Sequence, residues 1–132
     1  MPLKLTLKPH ERIIVGGAVI KNGASSSHFM VENSVPILRQ TDIMSESAAN
    51  SPCKRIYFAI QMLYIDSEKG LELQSFYNDL ARDVLEAAPS MKDLISEISQ
   101  LIIEKKIYQA LKVAKKLIQY EEELLKNVPR SG

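Results

Sequence analysis

The sequence predicts an α+β protein: a small antiparallel β unit over residues 1–44, followed by a bundle of about four helices over residues 45–132. Three observations predict it. Leucines alternate with polar residues in the opening LKLTLK. Short β-branched runs, punctuated by Gly, Pro and Asn, continue as far as Arg39. Beyond Ser51-Pro52 the apolar residues recur every three or four positions instead.

In the first strand Leu3, Leu5 and Leu7 share one face, with Lys4, Thr6 and Lys8 on the other. Pro9-His10-Glu11 is a turn, because proline gives no N–H to a ladder. Arg12 to Val15 reads as a second strand. Gly16-Gly17 reads as a bend or bulge, after which Ala18-Val19-Ile20 resumes. Lys21-Asn22-Gly23 turns again, and Ser25-Ser26-Ser27 widens that loop. His28 to Glu32 and Val35 to Arg39 complete the set, Pro36 marking an edge or a strand start.

Thr41 is placed to cap a short helix over Thr41-Asp42-Ile43-Met44, and Ser45 to Ser51 reads as a linker. Ser51 then caps a helix that has Pro52 at its first position and runs to about Asp66. Apolar almost all round, that helix belongs at the centre of the core. A second helix spans Glu68 to Ala88, with Leu71, Phe76, Leu80, Val84 and Leu85 on its inward stripe. Ser90 and Asp93 look like a capping box for a third, which turns Met91, Leu94, Ile95, Ile98, Leu101 and Ile102 inward. After a break at Glu104-Lys105-Lys106 the fourth buries Ile107, Ala110, Leu111, Ala114, Leu117, Ile118 and Leu124. Glu121-Glu122-Glu123 reads as a solvated face, and the tail from Val128 to Gly132 is expected to fray.

Composition narrows the function classes. Seventeen basic side chains against 16 acidic give a net charge of +1, so any polyanion site is a local patch. Residues 1–44 hold five basic groups (Lys4, Lys8, Arg12, Lys21, Arg39) against three acidic (Glu11, Glu32, Asp42), which favours that part for such contact. Cys53, the one cysteine, reads as a half-buried structural thiol and can form no intrachain disulfide. His10 and His28 lack metal spacing and read as surface or turn residues. No nucleophile–base pair can be assembled, so the chain is not expected to be an enzyme or to need a cofactor or metal. No apolar run is long enough to span a bilayer, and the opening residues lack the apolar core of a signal peptide. A cytoplasmic location is therefore expected.

The first and last strands carry the remaining chemistry. If they lie near each other, Thr6, Lys8, Arg39 and Gln40 make a basic, hydrogen-bonding edge. Such an edge can hold phosphates and read unpaired bases.

MPLKLTLKPHERIIVGGAVIKNG, ILRQTDIM and SPCKRIYFAIQMLYID resemble the successive motifs of the FlbT family. That resemblance implies a regulator of flagellin expression that associates with the 5′ untranslated region of flagellin mRNA and alters its translation or stability. A second resemblance runs from Leu5 to Gly16: LTLKPHERIIVG is similar to the opening of the carbon-storage regulator CsrA, a dimeric RNA-binding β protein. It implies a CsrA-like sheet or barrel, a homodimer, and RNA held by the first and last strands. The RNA-binding residues would be Lys4, Leu5, Thr6, Lys8, Arg39 and Gln40. Leu7 stands where CsrA has a basic residue, and His10 replaces a turn glycine. The alternative is a protein-interaction module or chaperone-like adaptor that binds flagellin or another flagellar regulator through its helices.

Overall fold

The computed structural model describes residues 3–126, Ser67 by its backbone alone. Two compact units meet in the chain between Ile43 and Met44.

The first unit contains five strands: β1 (Leu3–Leu7), β2 (Arg12–Val15), β3 (Ala18–Lys21), β4 (Ser27–Val31) and β5 (Ile37–Arg39). All pairing is antiparallel, as the sequence implies, but the strands divide between two small sheets. β1 pairs with β4, and β2 lies between β3 and β5. Alternation decides which side chains meet between the sheets. Leu5, Leu7 and Ile13 are buried there, with Val15, Phe29, Val31 and Ile37 packed against them. Leu5 and Leu7 thus anchor β1, while Leu3, at its start, is exposed and Lys4 and Thr6 are left outside.

Turn chemistry departs from the sequence reading at one point. Gly16-Gly17 is no bulge: it is the two-residue turn of the β2–β3 hairpin, with Val15 paired to Ala18. Gly16 has φ +61°, which glycine adopts without a Cβ clash. Asn22 anchors the crossing from β3 to β4. Its amide nitrogen donates to the carbonyls of Leu7, Lys8 and Ser25, and its Oδ1 accepts from Gly23 N and Ser27 Oγ.

Between strands and helices lie two short 3₁₀ turns, Gln40–Asp42 and Glu46–Ala48. Thr41 therefore sits inside a turn and caps nothing; Arg39 precedes it without a side-chain cap. Ser45 caps the second turn by accepting from Ala48 N.

The second unit holds α1 (Pro52–Ile65), α2 (Gly70–Ala87), α3 (Lys92–Ile103) and α4 (Ile107–Lys126). A further 3₁₀ turn, Pro89–Met91, joins α2 to α3. Ser51 caps α1 as expected, accepting from Lys54 N. α1 packs on both α2 and α4, and α3 packs on α4. The apolar α1 is therefore central, burying Cys53, Ile56, Tyr57, Ala59, Ile60 and Leu63. Buried Gln61 is satisfied by Met44, accepting its N–H at 2.7 Å and donating to its carbonyl at 2.9 Å.

Three helix readings are corrected. The inward face of α2 is Tyr77, Ala81 and Val84, while Leu71 and Phe76 are exposed. Tyr77 takes the core position because its hydroxyl reaches Ser99 Oγ at 2.8 Å, satisfying the polar end of a buried ring. Ser90 is not the cap of α3, which Met91 precedes with no side-chain cap; Ser90 Oγ accepts from the Tyr120 hydroxyl at 2.8 Å instead. Glu121 is buried, while Glu122 and Glu123 are exposed. It extends the buried stripe of Ala110, Ala114 and Leu117.

The break before α4 falls where expected. Lys105 has φ +62°, and Lys106 N donates to Leu101 O while Lys105 N donates to Ile102 O. This is the Schellman ending, with lysine in the position glycine usually takes. The tail from Val128 to Gly132 lies outside the described residues.

Candidate nucleic-acid interface

β1 presents its polar face because Leu5 and Leu7 are held in the core. Lys4, Thr6 and Lys8 are all exposed. Residues i and i+4 of a strand lie about 13 Å apart, which sets the span between the two ammonium stems. Neither lysine has an ion pair among the described residues. Leu5 differs from its neighbours: at 5% exposure its side chain belongs to the core, so only its backbone can offer anything to a ligand.

β1 and β5 are not paired strands, since they lie in different sheets. A side chain joins them. Arg39 is 45% exposed, and its Nη2 donates to the Thr6 carbonyl at 2.8 Å. The same nitrogen lies 3.9 Å from Glu11 Oε2. Glu11 is fixed in turn by the 8–11 turn, where its Oε1 accepts from Lys8 N at 2.9 Å and its own N–H donates to Lys8 O at 3.1 Å. Lys8, Glu11, Arg39 and Thr6 therefore form one connected group. Gln40 is tied to the next strand, its Oε1 accepting from Arg12 N at 2.6 Å. That commits the oxygen of the amide and leaves its nitrogen as the donor it can offer.

His10 has φ +62° and donates its backbone N–H to Gly23 O at 2.9 Å. It works as a turn residue. His28 does more than the sequence suggests. It pairs across from Thr6, and its Nδ1 lies 3.1 Å from Thr6 Oγ1. Met30, exposed and opposite Lys4, completes the outer face of the β1–β4 ribbon. The alternation of Ser27 to Val31 marks His28 and Met30 as outward, but only the register places them beside Thr6 and Lys4.

The candidate face thus carries Lys4, Thr6, Lys8, His28 and Met30, with Arg39 crossing to it. It is an open strand surface with cations, hydroxyl and ring donors and one apolar side chain. Among the described residues no three His, Cys, Asp or Glu side chains gather to hold a metal ion, and no helix is long and apolar enough to cross a membrane.

Cys53 lies elsewhere, at the start of α1. It is fully buried, not half-buried as its sequence context suggests. Burial, then the nearby Glu121 carboxylate, pushes its thiol up to about 12 from 9.0. A thiol so held stays protonated and is not a nucleophile at neutral pH.

These features define a small α+β protein with an exposed, lysine-bearing β face. The chain belongs to the FlbT family: the model of that family, described as flagellar protein FlbT, matches residues 3–125. It is 43% identical to a probable flagellum biosynthesis repressor protein FlbT 1 of Bradyrhizobium diazoefficiens, over 94% of this chain and 85% of that one. It is 39% identical to a probable flagellum biosynthesis repressor protein FlbT of Rhodopseudomonas palustris, over 95% of this chain and 98% of that one. The flagellum biosynthesis repressor protein FlbT of Caulobacter vibrioides is 37% identical, over 97% of this chain and 92% of its own. No solved structure matches. A family of flagellar regulators is not a kind of enzyme.

Proposed function

We propose that this chain represses flagellin synthesis after transcription, by binding single-stranded RNA in the 5′ untranslated region of flagellin mRNA. The outer face of β1 is the proposed site. Lys4, Lys8 and Arg39 hold phosphates, Thr6 and the Gln40 amide nitrogen read base edges, and Leu5 contributes backbone alone. His28 adds a ring on which an unpaired base can stack. Occupancy changes access of ribosomes or nucleases to the message, and no bond is made or broken by the protein. This work belongs in the cytoplasm, where the leader is translated.

One observation carries the reading: the guanidinium of Arg39 reaches Thr6 O from a different sheet. That contact brings the Arg39 cation to the backbone of the strand that carries Lys4 and leads into Lys8, which supports the reading. The names of the relatives supply the flagellar target and the repressing sign.

A homodimer is part of the same reading. β3 is an edge strand with all four residues exposed, Val19 and Ile20 among them, and an open apolar edge invites a second strand. Light scattering on the purified chain would give twice the monomer mass.

Fluorescence anisotropy with a flagellin leader RNA tests the site. Lys4→Ala together with Lys8→Ala should weaken binding by at least about tenfold, at about 0.7 kcal/mol or more per lost contact. Both side chains are exposed and unpaired, so the fold should be unaffected. Arg39→Ala is the less informative variant, because it also cuts the brace between the sheets. Unchanged affinity of the double-lysine variant would remove the proposed site.

A further inference from the structure

We propose, resting on the RNA reading of β1 but on different residues, that the exposed face of α4 is a second contact for single-stranded RNA, where lysines hold its phosphates.

Charge is segregated along α4. The stretch from Lys105 to Tyr120 holds five lysines and no acid, in a chain whose 17 basic and 16 acidic side chains nearly cancel. Helical spacing sorts them. Tyr108, Lys112, Lys115, Lys116 and Gln119 fall on one side of the helix, and all are exposed. Ala110, Leu111, Val113, Ala114 and Leu117 fall on the other and are buried in the bundle.

Two of the lysines carry the site. Lys112 Nζ lies 5.0 Å from the centroid of the Tyr108 ring. That ring is 39% exposed and meets Tyr64 of α1, the centroids 5.7 Å apart. It holds the ammonium in place at the surface, so less side-chain freedom is lost when a phosphate arrives. Lys116 stands one turn further on, with its Cα about 6 Å along the axis, and both lysines can reach one short run of backbone. Neither has an ion pair among the described residues. No acid stands three or four positions from either, and α1, which supplies Tyr64, contains none.

A solvated helix gains from mixed charges at those spacings, and α4 forgoes the gain. Lys112 and Lys116 are like charges one turn apart, a pairing that destabilises a helix. The order of charges also opposes the helix dipole. No acid lies in the first turn of α4, the lysines follow, and Glu122 and Glu123 come near its end. Phosphates lying along the lysines remove both penalties.

The chemistry of the face selects RNA among anionic partners. A protein interface has an apolar centre depleted in lysine, and this face has no such centre. A membrane-bound helix sets apolar side chains beside its lysines, but the apolar side of α4 is already buried. Lysine, glutamine and an aromatic ring match what a single strand offers: phosphates, base edges and ring faces.

The test titrates the full chain with an oligouridylate of about 12 nucleotides. In amide NMR spectra residues 107–119 should shift along with those of β1. Lys116→Glu should weaken binding at least about tenfold, because it removes one phosphate contact and repels its neighbour. The same variant should melt no lower than the parent, since an acid then stands one turn from Lys112. Lys116→Arg should bind as the parent does. Shifts in β1 with α4 silent, or undiminished affinity of Lys116→Glu, would overturn the proposal and leave the β1 site standing. Shifts in α4 alone would remove the β1 site instead. Weaker binding that tracks a lower melting temperature would overturn the α4 site, because the lysine would then be structural. So would equal affinity for a polyglutamate peptide of the same length, because the partner would then be an acidic protein.

Discussion

Glu121 reaches across the helical unit to the start of α1, where its carboxylate accepts from Ser51 Oγ at 2.5 Å and from Cys53 N at 3.1 Å. A negative group there satisfies backbone donors that a helix start leaves unpaired. The arrangement has a consequence at Cys53. Buried beside that carboxylate, the thiol keeps its proton to about pH 12, whereas an ordinary thiol gives it up from 9.0. Unfolding therefore releases a proton between those values. The stabilisation is intact below pH 9 and is lost as pH rises toward 12, by at most about 1.4 kcal/mol per pH unit. Urea titrations at pH 8 and 10.5 should show a larger fall for the parent chain than for Cys53→Ala; parallel losses would show that other groups drive the alkaline transition. In sequence, Glu121 belongs to a run of three acids, and the run hides it. The spacing from Ala110, Ala114 and Leu117 pointed inward, but a charge on a buried stripe reads as an error until its partners are known.

At the scale of elements, turns were harder to read than strands or helices. The β2–β3 hairpin depends on Gly16, the one glycine with positive φ among the described residues. A Cβ at either turn glycine would meet nothing within 4 Å, so space is not the constraint. Backbone conformation is. Gly16→Ala should cost about 1–2 kcal/mol, while Gly17→Ala should be near neutral, as measured by denaturant midpoint. Equal costs at the two positions would refute that account. Alternation identified β1 because a strand's period is fixed by its backbone, and β-branched composition identified β2. Neither could show that Gly16-Gly17 closes a hairpin and Asn22-Gly23 a crossing, since both are glycine-containing turns between apolar runs. The start and centre of α1 were legible from Ser51, Pro52 and the apolar composition. The buried face of α2 was not. Leu71 and Phe76 outrank Tyr77 in hydrophobicity, but the Ser99 hydroxyl gives the tyrosine a partner in the core.

For the whole molecule, a net charge of +1 means that polyanion binding must come from local contacts and not from bulk attraction. Affinity for leader RNA should fall as salt rises, with a slope near 0.7 for each phosphate held on a single strand. Removing Lys4 and Lys8 should lower that slope by about 1.4, which anisotropy at several salt concentrations would read. An unchanged slope would mean that other cations hold the RNA. The sequence by itself determined the α+β class, the polar outer face of β1 and the family, because periodicity and ordered motifs are local properties of a chain. Only the tertiary structure decided that Arg39 crosses from one sheet to Thr6, that His28 stands beside that threonine, and that α2 and α3 are splayed. These are contacts between residues 22 or more positions apart in the case of Thr6, and between packed helices in the other. Such proximity is set by how whole elements bury their apolar faces, which no stretch of residues specifies alone.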